Sequence, residues 1–244
     1  FNIAPAEPGQ VASLYPYRHQ AEVGFERAIA LYDFSLDYYL AGLAQAGSPY
    51  AFHTIGSTIA VTARAYAQVR GMPKRAGGED FYLLNKLAKI GRIVCLEAPL
   101  LLIQGRPSER VPFGTGPALM RIQHSLEVGD QTRFYHPDIF IMLAHLLGLV
   151  KRYSCQAKPN PSLGQLKIDL QACMSSTMAD SVVVVLELLK VERFFEHLNK
   201  PSRNTTLLEL FSIWFDGFHT LKLVHGLRDH GFANLGLVQL KEHH

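Results

Sequence analysis

The chain has 244 residues, 48% of them hydrophobic and 18% charged, a balance that builds a folded core and excludes an intrinsically disordered chain. Lys and Arg number 24 against 21 Asp and Glu, and the formal charge of +3 with the 11 histidines neutral is too small for nucleic-acid binding, which needs a clustered basic surface. Three cysteines without a Cys-x-x-Cys pair exclude a zinc knuckle and read as buried thiols in a reducing, cytoplasmic setting.

In chain order, residues 1–10 are rich in Pro and Gly and read as a strand end and loop. They have neither the basic start nor the apolar core of a signal peptide. With no initiator Met, the chain reads as a processed or cut piece. Residues 18–46 show a helical pattern in which Phe25, Ile29, Tyr32, Leu36 and Tyr39 recur at three- and four-residue steps. Gly47-Ser48-Pro49 stops it. Residues 52–61, rich in β-branched side chains, read as a loop and strand. Thr62 can cap a short helix over 63–69, closed by Gly71 and Pro73. Ala76-Gly77-Gly78 leads into a helix over 79–90, and strands are predicted over 92–97 and 100–103.

A loop dense in Gly, Pro and Arg spans 105–116, and beyond it the pattern is wholly helical. Helices are predicted over 117–128, 137–153, 163–174, 178–198 and 207–229. The last opens on Thr206-Leu207-Leu208-Glu209, a capping-box pattern. The apolar run 139–150 falls short of the roughly 20 residues a membrane span needs and reads as a buried helix. Lys151 and Arg152 after it could touch anionic lipid. The four valines Val182 to Val185 form a strand-like island in which tertiary packing is expected to prevail. The change of character near residue 117 divides the chain into a mixed part, 1–116, and a helical extension, 117–244.

Three features of the mixed part carry chemistry. One is Gly78-Glu79-Asp80 at a helix start. Another is the polar strand entry His53-Thr54-Ile55-Gly56-Ser57-Thr58. The third is the loop Arg106-Pro107-Ser108-Glu109-Arg110-Val111-Pro112-Phe113-Gly114-Thr115-Gly116. Singly each has a plain reading: acids complement a helix dipole, and lone arginines face solvent. A carboxylate within hydrogen-bond reach of a hydroxyl can serve as its general base, and a helix amino terminus favours the anion. Arginine can clamp phosphate oxygens with two parallel bonds.

Gly56-Ser57-Thr58-Ile59-Ala60-Val61, Arg64-Ala65-Tyr66, Val69-Arg70-Gly71-Met72-Pro73 and Gly78-Glu79-Asp80-Phe81-Tyr82-Leu83-Leu84-Asn85-Lys86-Leu87 with Gly91, in that order, resemble the acceptor-side half of bacterial family 2 glycosyltransferases of the GT-A type. The resemblance covers roughly residues 50–116. It implies a partial GT-A sheet within a mixed α/β fold, followed by the helical region. It also implies inverting transfer of a sugar from a nucleotide-sugar donor to a hydroxyl acceptor, such as a glycan. Asp80 would be the base and Glu79 its partner, with Gly78, His53, Ser57 and Thr58 on the acceptor side. Arg106, Ser108 and Arg110 would lie on a loop over the diphosphate.

The family's Asp-x-Asp metal motif is missing. Mg or Mn is therefore expected for the full-length protein, with its ligands outside this chain, and the fragment alone is expected to be inactive. The alternative is a non-catalytic helical binding or assembly module derived from a transferase half. No metal site is expected among the histidines. His136, His145, His197, His219, His225 and His230 lack ligand spacing, and His243-His244 reads as a tag. The aromatic residues Phe194, Phe195, Phe211, Trp214, Phe215 and Phe218 have helical spacing and read as core.

Overall fold

The computed structural model describes residues 7–108, 114–156, 162–198 and 206–243. Its first part contains β1 (Gln10–Leu14), β2 (Tyr17–Ala21), α1 (Glu26–Gln45), β3 (Ile59–Val61), α2 (Ala63–Gln68), α3 (Glu79–Leu87), β4 (Arg92–Cys95), β5 (Leu101–Gly105) and α4 (Thr115–Glu127). β1 is the centre of a three-stranded mixed sheet, antiparallel to β3 and parallel to β4. Val11, Ala12 and Leu14 of β1 are buried against Ala65 and Val69 from the α2 segment and Leu83, Leu84 and Leu87 of α3. The three leucines recur at helical spacing, so one stripe of α3 faces the sheet. The Lys86 ammonium donates to the Val69 carbonyl at 2.8 Å, joining α3 to the end of α2.

β2 and β5 form a separate parallel pair, Tyr17 opposite Leu101 through Ala21 opposite Gly105. A second core packs Ala28, Ile29 and Tyr32 of α1 with Ala118 and Leu119 of α4. Gly105 permits a close approach: a Cβ there would stand 2.2 Å from Ile29 Cδ1.

The remainder is largely helical: β6 (Arg133–Phe134), α5 (Pro137–Ser154), α6 (Leu163–Gln171), α7 (Ser176–Leu188), α8 (Val191–Leu198), α9 (Leu207–Trp214), α10 (Gly217–Asp229), β7 (Leu235–Gly236) and α11 (Leu237–Glu242). α5 contacts α6, α7, α9 and α10 and buries Ile139, Phe140, Met142, Leu143, Leu146, Leu149 and Val150. Val182, Val183 and Val185 are buried in helix α7, so packing overrides the β preference of the valine run. Phe194, Phe211 and Phe215 are buried, and Trp214 stacks on Phe194 at 5.0 Å.

The mixed first part and the helical second part agree with the pattern of the sequence, but several elements differ. Helix α1 begins at Glu26 rather than near residue 18, because residues 17–21 pair with β5. The predicted helix 178–198 breaks at Lys190, which has φ of 61°. The predicted helix 207–229 breaks at Asp216, whose carboxylate accepts the Phe218 and His219 amides at 3.1 Å each and caps α10. The chain divides into two compact units: one runs up to Leu40 and continues over Phe52–Thr132, and the other takes Ala41–Ala51 and the residues from Arg133. Helix α4 belongs to the first, so the change to helix near residue 117 is not the boundary between units. No helix among the described residues is long and apolar enough to cross a membrane.

Candidate functional site

Asp80 is the second residue of α3, and the helix start is made by the glycines before it. Gly78 has φ of 67°, a left-handed conformation that glycine adopts without the strain of a Cβ. Arg75 sits 3.7 Å over the Tyr82 ring, tying the approach segment to the helix it precedes. The carboxylate of Asp80 is half-buried. Its Oδ1 accepts the Phe81 amide at 2.7 Å and its Oδ2 accepts the Gly56 amide at 3.1 Å. A Cβ on Gly56 would lie 3.2 Å from that Oδ2, a tight approach. Helix start and strand entry, 24 residues apart, thus meet at one carboxylate.

Burial pushes the Asp80 carboxyl above the usual carboxylate range. The Phe81 amide pulls the other way, Glu79 adds to the rise, and the Gly56 amide also opposes it. The balance is a carboxylate more basic than one in water, still oriented by backbone donors.

Around it the strand entry is polar. Thr58 is buried and donates its hydroxyl to the Ile55 carbonyl at 2.7 Å; the same oxygen is 3.4 Å from His53 Nδ1. Burial lowers the pKa of His53, against a hydrogen bond to the Tyr15 backbone that raises it. Gly56 and Ser57 are exposed, and Gly78 and Glu79 are half-buried. Arg106 is exposed, just past β5. Ser108 lies against the start of α4: a Cβ on Gly116 would meet the Ser108 carbonyl at 2.7 Å. Arg110 lies outside the described residues.

A set of residues to which the sequence reading assigns no chemistry, with Asp33 and Asp37 read only as one face of a helix, lies beside this strand entry. His19 of β2 is buried and its Nδ1 lies 2.5 Å from Asp33 Oδ1 on α1. Tyr17 packs edge-on against both His19 and His53, at 5.2 and 4.9 Å. Burial, then the charges of Asp33 and Asp37, raises the Tyr17 phenol well above its ordinary value. The Tyr32 hydroxyl accepts from Thr115 at 3.4 Å. Its pKa is raised mainly by burial, with Asp33 and Asp80 adding. The available signal was the four-residue spacing of Asp33 and Asp37, which places both on one face of α1. The partner strand β2 was not recognised, so their neighbours were not.

No family model, curated protein or solved structure matches the chain.

Among the described residues of this unit, no three His, Cys, Asp or Glu side chains come together as a metal would require. The residues present do not fit the Mg or Mn of a nucleotide-sugar site, and the chemistry below is confined to Asp80 and its surroundings.

Proposed function

We propose that the chain carries the acceptor-side half of an inverting, nucleotide-sugar-dependent glycosyltransferase of the GT-A type, with Asp80 as the general base. The observation that carries the reading is the bond between the Gly56 amide and Asp80, which brings together at one carboxylate two of the segments that carry the family resemblance. A sugar hydroxyl is a poor nucleophile, and a carboxylate within reach can take its proton as the new bond forms. Two backbone amides orient Asp80, and burial raises its basicity. Both properties suit a base that must be ionised yet proton-hungry. His53 and Ser57 lie on the same strand entry and would bind the acceptor; Thr58, which the family resemblance also puts on the acceptor side, is buried and instead holds the Ile55 carbonyl. Arg106, exposed just past β5, would meet the donor diphosphate, with Arg110 expected to join it.

The test is a donor screen on the full-length protein with Mg or Mn, following nucleoside diphosphate release. Release is expected with a nucleotide-sugar donor and an acceptor. Asp80→Asn should lower turnover by roughly 100- to 10,000-fold, the usual worth of a general base, with the fold and nucleotide binding retained. Glu79→Gln should cost less. An Asp80→Asn enzyme with more than about a tenth of wild-type turnover, well above the loss of a base, would sink the assignment. Failure of every donor would favour a binding or assembly module.

A further inference from the structure

We infer that His136, Asp138 and His243 form a binding site for a divalent transition-metal ion of the zinc class in the helical unit. The inference is independent of the transferase reading. The three side chains each offer a ligand atom, all within 4.8 Å of one another. His243 Nε2 lies 3.2 Å from Asp138 Oδ1, and His136 Nδ1 lies 3.7 Å from Asp138 Oδ2. A tetrahedral ion with bonds of about 2.0–2.2 Å separates its ligands by roughly 3.3–3.6 Å. Each histidine already stands near that separation from one oxygen of Asp138, His243 from Oδ1 and His136 from Oδ2, and bringing all three onto one ion needs side-chain adjustments of up to about an ångström.

The backbone explains why these residues meet. Pro137 is the first residue of α5; its fixed φ suits a helix start and holds the residue before it extended. His136 and Asp138 therefore sit at one helix entrance, with His136 Nδ1 accepting the Asp138 amide at a long 3.2 Å. The third residue arrives through the β6–β7 pair, in which Arg133 faces Gly236 and Phe134 faces Leu235. That register sets α11 beside the start of α5, and His243 follows its last turn. The imidazole of His136 is packed edge-on by Phe232 at 5.6 Å and by His243 at 4.7 Å. His136 and Asp138 are partly covered, at 17% and 26% side-chain exposure, while His243 is more open at 40%.

The donor set decides the ion. Two imidazoles and one carboxylate suit zinc, nickel or copper, whereas magnesium and calcium prefer oxygen cages. An ion here would bond His136 in place of the weak cap contact and pin the end of α11 to α5. Three protein ligands leave a fourth position for water.

Chelator-treated protein that keeps His243 and carries no added affinity tag is titrated with zinc chloride by calorimetry, and its melting temperature is followed with zinc or magnesium. One zinc per chain and a zinc-dependent rise in melting temperature are expected, with no response to magnesium. His136→Asn keeps a capping side chain at that position but removes the ligand, and His243→Ala changes only the open side. Each should weaken zinc binding by more than about tenfold, the loss seen for even an outer partner of a metal site. Absence of zinc binding overturns the site. So does affinity unchanged in His136→Asn, because the ion would then be held adventitiously by the adjacent His243 and His244.

Discussion

At the scale of single residues, Asp80 links the chemistry to stability. Its folded-state pKa is raised, chiefly by burial. The folded protein therefore holds that proton more tightly than the unfolded chain does. The contribution of Asp80 to stability is fully present below the ordinary carboxylate pKa of about 3.9 and is lost as pH rises through the raised value. Burying the ionised form is a cost to the fold. Asp80→Asn should therefore melt at a higher temperature relative to wild type at pH 7 than at pH 4. Melts across that range check this, and a difference that stays constant or grows on acidification contradicts it. Much of this centre was legible in the sequence: glycines before an acidic pair mark a helix entrance, and the polar run 53–58 marks a strand entry. Their contact was not legible, because the Gly56 amide carries no side-chain signal. The His19–Asp33 pair was missed for a related reason. Tyr17-Arg18-His19-Gln20-Ala21 has little apolar alternation, so only its pairing with β5 identifies it as a strand.

At the scale of elements, two helical glycines should respond oppositely to one substitution. Gly148 is exposed in α5 and a Cβ there meets nothing within 4 Å. Gly148→Ala should stabilise by roughly 0.5–1 kcal/mol, the helix-propensity gain alone. Gly226 lies in α10 where a Cβ would stand 2.6 Å from Val185 Cγ1 and 2.9 Å from its Cγ2. Valine is short and stiff at χ1, so the helices must move apart. Gly226→Ala should destabilise by about 1–3 kcal/mol despite the better propensity, the usual cost of overpacking. Chemical denaturation of both variants decides, and equal effects would mean that α7 and α10 are not in close contact there. Helix breaks were the least legible feature at this scale. An apolar stripe continues across Lys190 and Asp216, so periodicity alone reads one helix where there are two. Asp216-Gly217 carries a capping signal, but it is masked by strong helical spacing on both sides. Strand β1 was missed because its partners β3 and β4 are far away in sequence, and short strands are specified by such non-local pairing.

At the scale of the whole molecule, both compact units contain histidines whose pKa is lowered by burial: His53 in the first, and His225 together with His136 in the second. His53 faces the Thr58 hydroxyl and the ring of Tyr17. His225 Nε2 lies 2.8 Å from the Tyr135 hydroxyl, and Arg228 further disfavours its cation while Asp229 opposes that effect. His53 and His225 bind a proton less readily in the fold than in the unfolded chain. Their contributions are therefore fully present above the ordinary histidine pKa of about 6.5 and are lost as pH falls through that value toward the lowered folded ones. Asp80 acts with the opposite sign, so the comparison is made in an Asp80→Asn background as well as in wild type. Denaturant midpoints of chelator-treated protein should fall over that interval, and unfolding at pH 6 should take up protons. The two units make the effects separable. His53→Gln should flatten the pH dependence of whichever transition involves the first unit, and His225→Gln that of the second. Tryptophan fluorescence reports the second through Trp214, the chain's single Trp. If the midpoint is flat from pH 7.5 to 5.5, or the slope is unaltered in the double variant, these two rings are not the groups that couple stability to pH.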